Sequence, residues 1–247
     1  ILDVSEGANK VAKGNLDSHL KPSGSNEISK LMNSFNEMVD GLKQRDQMRQ
    51  SLEIAKEVQQ NLLPTKLPDI PGLDIAGKSL YCDETGGDYF DFIDLSKNGE
   101  AGVVIGDVSG HGISSALLMA TARAFLRQRV ALSGNLAQIV SDVNYQLSHD
   151  VADTGNFMSL YYLVINSEQR TVNWVRAGHD PAILYDPESD TFAELKGEGV
   201  ALGLDENWQY KENTETQLKE GQIIVLATDG IWEARNEKGE MFGKDPI

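Results

Sequence analysis

The segment GVVIGDVSGHG, which spans residues 102–112, decides the fold. Its apolar start is typical of a buried strand, and its glycine-rich end indicates a tight turn before the helix-like run 114–129. Backbone N–H groups at a helix start favour a nearby anion, but the Asp107 carboxylate would repel a phosphate bound there directly. A divalent cation between carboxylate and phosphate removes that conflict. Taken alone, Asp107 is equally consistent with a simple helix cap, whereas the glycine spacing disfavours a dinucleotide-binding loop.

Two other aspartates have the same kind of setting. Asp88 follows a double glycine at the start of a predicted strand, and Asp229 lies between the apolar run 223–228 and Gly230. Strands that each place an aspartate beside glycine are expected to converge on a common edge. Three carboxylates within a few ångströms oppose one another's ionisation unless hard divalent cations such as Mg²⁺ or Mn²⁺ compensate them. Any one of these aspartates is also compatible with an ordinary turn, so the predicted metal site rests on all three together.

The composition restricts the function classes. The 247 residues carry a formal net charge of −16, which argues against binding to nucleic acid or to an anionic lipid surface. A hydrophobic content of 40% is ordinary for a globular protein and allows one sizeable core plus an appendage. The single cysteine, Cys82, excludes an internal disulfide and fits a reducing compartment. The histidines are far apart without a zinc motif, and no apolar run is long enough to span a membrane.

The chain divides into three predicted parts: 1–42, detached from the core; 43–66, a coiled-coil linker helix; and 67–247, the main domain. Within the first part, the breaker-rich connector 21–25 separates a short helix from a second one that begins at Asn26. The apolar residues of the second helix follow steps of four and three, as in a coiled-coil seam. A single amphipathic helix packed on its own domain is the alternative. The seam residues are Leu31, Phe35, Met38 and Leu42.

The seam continues into the linker but changes phase on the way. Two steps of three, from Leu42 through Arg45 to Met48, interrupt the alternation, and a slip of this size overwinds a coiled coil locally. We interpret the junction as a signalling joint whose helix rotation is read downstream; a rigid spacer is the alternative. Pro64 and Pro68 are expected to stop the helix. After the slip, the seam residues are Met48, Leu52, Ala55, Gln59 and Leu62.

The motifs GNLDSHL at 14–20 and SNEISKLMNSFNEM at 25–38 resemble the latter part of a HAMP domain, the parallel dimeric helix bundle that follows a membrane span in bacterial receptors. Asn26-Glu27 stands where that family usually has Asp-Glu. The resemblance implies a homodimer formed through the HAMP and linker helices. Because the start of the first HAMP helix is missing, we expect a longer protein that is held at the cytoplasmic face of the bacterial inner membrane by an upstream segment. The fragment itself is expected to be soluble.

From residue 67 onward, the pattern predicts short strands and two helices. The helices are predicted at 114–132 and 136–151, between two groups of strands. Strands followed by consecutive helices and then more strands indicate an α+β layered domain. The predicted strands are 73–80, 89–95, 102–107, 158–166, 171–177, 182–185 and 223–228, with weaker ones around Val200 and Tyr210.

Five motifs together resemble the SpoIIE/RsbU branch of the PPM-type, metal-dependent protein serine/threonine phosphatases. They occur in the family order and extend over most of the chain, from the end of the linker onward. The resemblance implies an α-β-β-α sandwich with a metal centre at one end of the paired sheets. The motifs are EIAKEVQQNLLP at 53–64, GGDYFDF at 86–92, VIGDVSGHGISSALLMA at 104–120, AGHDPAILY at 177–185 and VLATDGIWEARN at 225–236.

The resemblance also implies a role for each matching residue. Asp107 would bridge two Mn²⁺ or Mg²⁺ ions, with the Val108 carbonyl as a further ligand. Asp88 would serve one ion through water, and Asp229 would serve the other. Glu233 falls where some relatives place a carboxylate for a weaker third ion. The three aspartates would thus carry the catalysis.

Such a centre would hydrolyse phosphoserine or phosphothreonine on a bacterial signalling protein, which the resemblance identifies as a STAS anti-anti-sigma-type regulator. The HAMP and linker helices would control it. Two ions lower the pKa of a bridging water, so no covalent phosphoenzyme is needed, and Cys82 is not a credible nucleophile. The family pattern ends with a further metal-binding aspartate beyond Ile247. Weak metal binding and low activity are therefore expected of the sequence as written.

Two other interpretations compete with a phosphatase. The run GGDYF at 86–90 resembles the GGDEF hairpin of diguanylate cyclases, but the upstream region where that family carries a metal-binding aspartate is the linker helix here. The second is a dimeric signalling module that binds its partner without turnover. Relatives with a histidine general acid carry it where this chain has Ser109, so His111 is interpreted as a turn-shaping residue. His179 is interpreted in the same way.

Overall fold

The computed structural model describes residues 2–22, 27–80, 85–95 and 99–244 of the chain. It divides into two compact units, 1–57 and 58–247. Asn26, most of the connector 21–25 and Cys82 lie outside the described residues, so the predictions made for them stay predictions. Among the helices that are described, none combines the length and the apolar character that a membrane crossing requires.

The first unit is built from two helices, α1 (Leu2–Ala12) and α2 (Glu27–Leu62), of which α2 continues past the boundary between the units. Gly7 of α1 lies against the Phe35 ring, where a Cβ on Gly7 would come within 3.3 Å of ring atoms. The Asn36 side chain pairs with the backbone N–H and C=O of Leu20 at 2.8 and 2.9 Å, which fastens the segment after α1 to α2. α2 ends at Leu62, ahead of Pro64, as predicted.

The predicted seam of α2 is only partly buried inside this unit. The side chain of Phe35 is buried together with those of Met32 and Val39. The other predicted seam residues keep a large exposed fraction, 47% for Leu31, 49% for Met38 and 38% for Leu42. The helix therefore has one apolar face that packs within its own unit and a neighbouring apolar face that remains exposed.

The second unit contains two antiparallel sheets. The first has the order β1-β2-β3-β4-β7, and the second has the order β6-β5-β8. In chain order the described strands are β1 (Tyr89–Leu95), β2 (Glu100–Val108), β3 (Met158–Asn166), β4 (Thr171–Ala177), β5 (Ala182–Asp186), β6 (Thr191–Leu195), β7 (Asn213–Thr216) and β8 (Ile223–Val225).

Two further helices, α3 (Ile113–Val130) and α4 (Leu136–Val151), cover one face of the first sheet. β3 shows why both faces of that sheet are buried. Leu160 and Tyr162 belong to the apolar cluster with the helices, whereas Tyr161 and Leu163 belong to the cluster with the second sheet. The described residues thus supply an α layer and two β layers of the expected sandwich, and the class is α+β as predicted.

Most element predictions are confirmed. β1, β3, β4 and α4 have the predicted bounds, and β2, β5 and α3 differ from theirs by no more than two residues at either end. The strand predicted at 73–80 is wrong: this segment has no ladder partner among the described residues, and its Gly77 lies against the rings of Phe90 and Phe92. The predicted strand at 223–228 ends early, at Val225. The strands around Val200 and Tyr210 are replaced by a single bridge at Leu202 and by β7.

Candidate functional site

Asp88 and Asp107 lie opposite each other at one end of the first sheet. The antiparallel register pairs Tyr89 with Gly106, so Asp88, the residue before β1, lies opposite Asp107 in β2. The Asp88 and Asp107 carboxyl groups are close enough for each to affect the pKa of the other. The Val108 N–H also donates to the carbonyl of Gly87 at 3.3 Å, which fixes the two chain segments beside each other.

The third aspartate reaches the same place from the second sheet. Asp229 follows β8, and its charge raises the pKa of both Asp88 and Asp107. The neighbouring Thr228 hydroxyl donates to Asp88 Oδ2 at 3.3 Å, which ties the two sheets together at this end. Glu233 lies one turn beyond Asp229, since its N–H donates to the Asp229 carbonyl at 2.8 Å. All four carboxylates line one open cleft of about 690 Å³.

The electrostatics of this cluster are unfavourable without a cation. Burial, and then the charges of Asp88 and Asp229, raise the pKa of Asp107 from 3.8 to about 7. Burial is also the main cause that raises the pKa of Asp88. Within the described residues, no group of three or more His, Cys, Asp or Glu side chains is already arranged closely enough to hold a metal ion. The cluster is therefore an acidic pocket that a cation would stabilise, with its carboxylates held apart in this structure.

The backbone around the cluster leaves room for a cation. A Cβ on Gly87 would lie 2.6 Å from the Val108 carbonyl oxygen and 3.1 Å from Asp107 Oδ1, so any larger residue would cover both oxygens. The groups that line this recess are carboxylate and carbonyl oxygens, the ligand types that hard divalent cations prefer. The donor set therefore fits Mg²⁺ or Mn²⁺, and the residues able to hold such ions are Asp88, Asp107, Val108, Asp229 and Glu233.

The turn between β2 and α3 shapes one wall of the cleft. Ser109 pairs with Phe157 twice: its N–H donates to the Phe157 carbonyl at 2.9 Å, and its hydroxyl accepts from the Phe157 N–H at 3.0 Å. Gly110 and Gly112 have φ values of 84° and 82°, a backbone conformation that glycine adopts without strain. His111 lies between them and is exposed at the edge of the cleft. The Ser109 hydroxyl is thus committed to holding the turn.

His179 is buried at the back of the cleft. Its Nδ1 is 2.8 Å from the Ser159 hydroxyl, and its Nε2 is 3.2 Å from the Ala227 carbonyl. Ser159 is the residue that pairs with Asp107 across β2 and β3, and Ala227 precedes the segment of Thr228 and Asp229. Burial lowers the pKa of His179, so the neutral ring bridges the two sheets at the site.

Two features near the site did not come from sequence reasoning. Gln59, assigned to the coiled-coil seam, is buried and hydrogen-bonds the backbone of Gly86, two residues before Asp88. Asp91 is buried at 0% exposure and paired with Arg127 of α3 through two bonds of 2.6 Å. In the sequence, each of these polar residues stands in an otherwise apolar pattern, Gln59 in the seam of α2 and Asp91 in β1. Because buried polar groups require partners, this was the available signal for both contacts.

The comparisons with known proteins agree with this geometry. The family described as Stage II sporulation protein E (SpoIIE) matches residues 97–246, and the HAMP domain matches residues 1–44. The first match covers more than half of the chain and includes Asp107 and Asp229, whereas Asp88 lies before its first residue.

Two curated relatives illustrate the similarity. The chain is 31% identical over 196 residues to phosphoserine phosphatase RsbU of Bacillus subtilis, an alignment that covers 79% of this chain and 57% of the relative. It is 28% identical over 286 residues to protein IcfG of a Synechocystis strain, covering 100% of this chain and 44% of the relative. The chain thus spans about half the length of the curated relatives it matches.

Solved structures share the fold at lower identity. The SiaA-PP2C domain of Pseudomonas aeruginosa matches with a TM-score of 0.64 and 21% identity, over 82% of this chain and 80% of that one. The PP2C phosphatase domain of SpoIIE from Bacillus subtilis, solved with a fragment of its regulatory domain, matches with a TM-score of 0.51 and 15% identity, over 60% and 43%. The chain belongs to the SpoIIE family, with a PP2C-type phosphatase fold that follows an N-terminal HAMP domain.

Proposed function

We propose that this chain hydrolyses phosphoserine or phosphothreonine in a protein substrate, using two Mn²⁺ or Mg²⁺ ions. The observation that carries the proposal is the gathering of Asp88, Asp107 and Asp229, from two sheets, in one open cleft. The similarity to RsbU and to a further relative, RsbP, both named as phosphoserine phosphatases of Bacillus subtilis, supports the reaction class.

Each carboxylate has a distinct part in the proposed centre. Asp107 would contact both ions, with the Val108 carbonyl beside it. Asp88, which Thr228 orients, would hold one ion through water, and Asp229 would hold the other. Glu233 would serve a weaker third ion. When bound, such ions supply a water of lowered pKa and neutralise charge on the phosphoryl oxygens.

The rest of the cleft would orient the phosphorylated side chain. Gly110 and Gly112, on either side of His111, present no side chain that would crowd a phosphoryl group. His179 holds Ser159 and the Ala227 carbonyl, so that the ends of both sheets keep their relative position. The attacking group in the proposed reaction is water, so no covalent phosphoenzyme is required.

The substrate we propose is a phosphorylated STAS-type regulator. The support is the resemblance to RsbU-like phosphatases, together with an open cleft that admits a side chain carried on a protein surface. We further propose regulation through the HAMP part at 1–42 and the linker helix at 43–66, acting on a phosphatase domain at 67–247.

The proposed assembly is a homodimer. The exposed seam residues Leu31, Met38 and Leu42 offer a second helix an apolar face, and HAMP domains pair through such helices. The matched HAMP domain also supports an attachment of the intact protein to the cytoplasmic face of the inner membrane through an upstream segment.

Hydrolysis of p-nitrophenyl phosphate and of a phosphoserine peptide, with Mn²⁺ or with a chelator, tests the proposal. We expect slow but Mn²⁺-dependent turnover that falls at least about a hundredfold in Asp107→Asn, since the residue would contact both ions. The exposed Asp153→Asn is the matched control and is expected to keep wild-type turnover. The alternative is a signalling module that binds its partner without turnover. Its signature is partner binding with no Mn²⁺-dependent hydrolysis by the wild-type chain.

A further inference from the structure

Gln59 occupies an unusual position in the last turn of α2. Its side chain is only 4% exposed, although glutamine is normally a surface residue. Its Nε2 donates to the Gly86 carbonyl at 2.6 Å, and its Oε1 accepts from the Gly86 N–H at 3.3 Å. One amide side chain therefore satisfies both backbone groups of a single loop residue, a contact that lies within the second unit.

The loop that Gln59 holds leads directly to Asp88. Its first described residue, Thr85, is buried, and ladder pairing in β1 begins only at Tyr89. Between them, the Gly87 carbonyl accepts the Val108 N–H at 3.3 Å. The segment 85–88 is thus held on one side by Gln59 and on the other by the β2 end that carries Asp107.

The end of α2 is itself anchored in the core, so the backbone that carries the Gln59 side chain has a fixed position. Leu63, four residues later, is buried in the apolar cluster formed by the first sheet with α3 and α4. The next residue, Gln60, is also a glutamine but is exposed to solvent. The contact with Gly86 therefore depends on the helix face on which Gln59 lies.

We infer that Gln59 is a positioning residue for the proposed metal centre: it holds the loop 85–88 so that Asp88 faces Asp107. The inference rests on the proposed function, and it assigns this role to a residue outside the cleft. Groups that orient metal ligands through a second contact are worth about 10–100-fold in metal affinity in other proteins.

The chemistry of the contact explains why an amide is needed. Gly86 presents one donor and one acceptor, and only a side chain with both complements them at this reach. An ionised glutamate accepts but does not donate, so it leaves the Gly86 carbonyl without its partner and adds a negative charge near the carboxylate cluster. A leucine of similar size provides neither bond, and both Gly86 groups lose their partner.

Calorimetric titration of the 247-residue chain with Mn²⁺, in wild type, Gln59→Leu and Gln59→Glu, tests the inference. We expect about 10–100-fold weaker Mn²⁺ binding in both variants. Gln60→Leu is the matched control on the exposed face and is expected to bind as the wild type does. Amide hydrogen exchange provides a readout without metal: exchange at Gly86 is expected to accelerate in Gln59→Leu, which removes the acceptor of the Gly86 N–H, and to stay unchanged in Gln60→Leu.

A purely structural role for Gln59 would give a different pattern. In that case the variants would lose thermal stability, yet bind Mn²⁺ within about twofold of the wild type, and this result would overturn the inference. Turnover at saturating Mn²⁺ adds a third readout. Because Gln59 does not reach the cleft, excess Mn²⁺ is expected to restore kcat in the variants. Gln59→Glu, which is closest to glutamine in shape, provides this measurement even where Gln59→Leu does not fold.

The outcomes separate this inference from the proposed function. Wild-type Mn²⁺ binding and turnover with unchanged affinity in the Gln59 variants overturn the positioning role alone. Wild-type Mn²⁺ binding without hydrolysis, accompanied by weaker binding in the variants, overturns the phosphatase activity and supports the positioning role. A wild-type chain that binds no Mn²⁺ overturns both.

Discussion

The surroundings of Asp107 oppose the ionisation of its carboxyl group. Burial acts first, the charges of Asp88 and Asp229 add to it, and the pKa rises from 3.8 to about 7. The folded chain therefore binds this proton more tightly than the unfolded chain does, and metal-free protein is expected to lose stability as the pH rises from about 4 to about 7. Because the carboxylate is partly exposed, solvent screening reduces the expected loss to about 1–2 kcal/mol.

Urea unfolding with a chelator, at about pH 5 and about pH 8, measures this dependence. Asp107→Asn cannot ionise, so this part of the pH trend is expected to disappear in the variant, and Mn²⁺ is expected to stabilise it far less than the wild type. The exposed Asp153→Asn serves as control and keeps the wild-type trend. Identical trends in all three proteins would show that the Asp107 proton does not contribute.

The residues of the candidate site were not equally visible in the sequence. Asp88, Asp107 and Asp229 each lie beside glycine at an end of an apolar run, so local chemistry was enough to select them. Gln59 carried only the weaker signal of a polar residue at a coiled-coil seam position, and nothing in the sequence indicated its partner Gly86, which is 27 residues away. A contact of that kind is created by tertiary packing and leaves no periodic trace in the chain.

At the scale of elements, β1 and α3 are joined by ion pairs to the buried Asp91 carboxylate, and the pair with Arg127 is the closest. Asp91 accepts two bonds of 2.6 Å from Arg127 and one of 2.8 Å from the Tyr89 hydroxyl. Arg123 is 3.9 Å away, too far for a hydrogen bond. Arg127→Leu would leave the Asp91 carboxylate buried without its bidentate partner, and we expect it to lower the free energy of unfolding by about 3 kcal/mol.

Chemical denaturation of single and double variants tests this joint. The double variant Asp91→Asn with Arg127→Leu removes the buried charge as well, so it is expected to recover part of the loss. Lys211→Ala breaks the exposed pair with Glu198 and is the control, with an expected change within about 0.5 kcal/mol. A loss no larger for Arg127→Leu than for Lys211→Ala would mean that the ion pair does not join the two elements.

Element prediction succeeded where periodicity and burial coincide. β3 is an apolar run buried on both faces, and α4 repeats its buried residues at helical spacing after the Asn135 cap, so their bounds follow from the sequence. The segment 73–80 alternates like a strand but has no ladder partner in the part of the chain that the structure describes. The edge strands β6 and β7 have mostly exposed side chains, and hence no hydrophobic pattern reveals them.

At the scale of the whole molecule, the candidate site exists only because two sheets stack. Asp88 and Asp107 come from adjacent strands of one sheet, but Asp229 arrives from the other, 122 positions after Asp107 by the difference of their numbers. Sequence reasoning about single strands predicted a common edge without saying how a second sheet reaches it. The family resemblance supplied that step, and the Thr228–Asp88 contact is the structural link that realises it.

The last prediction concerns the proposed control of activity through α2, which runs without a break from Glu27 to Leu62. In an uninterrupted helix, each residue inserted after Arg45 rotates all later residues by about 100° about the helix axis, and seven residues nearly restore the phase. We therefore expect Mn²⁺-dependent turnover to change with one or two inserted alanines and to return toward the wild-type value with seven. Phosphopeptide hydrolysis across this series, with circular dichroism as a control for helicity, measures the effect. Equal loss in every insertion variant would instead identify the junction at 42–48 as a rigid spacer.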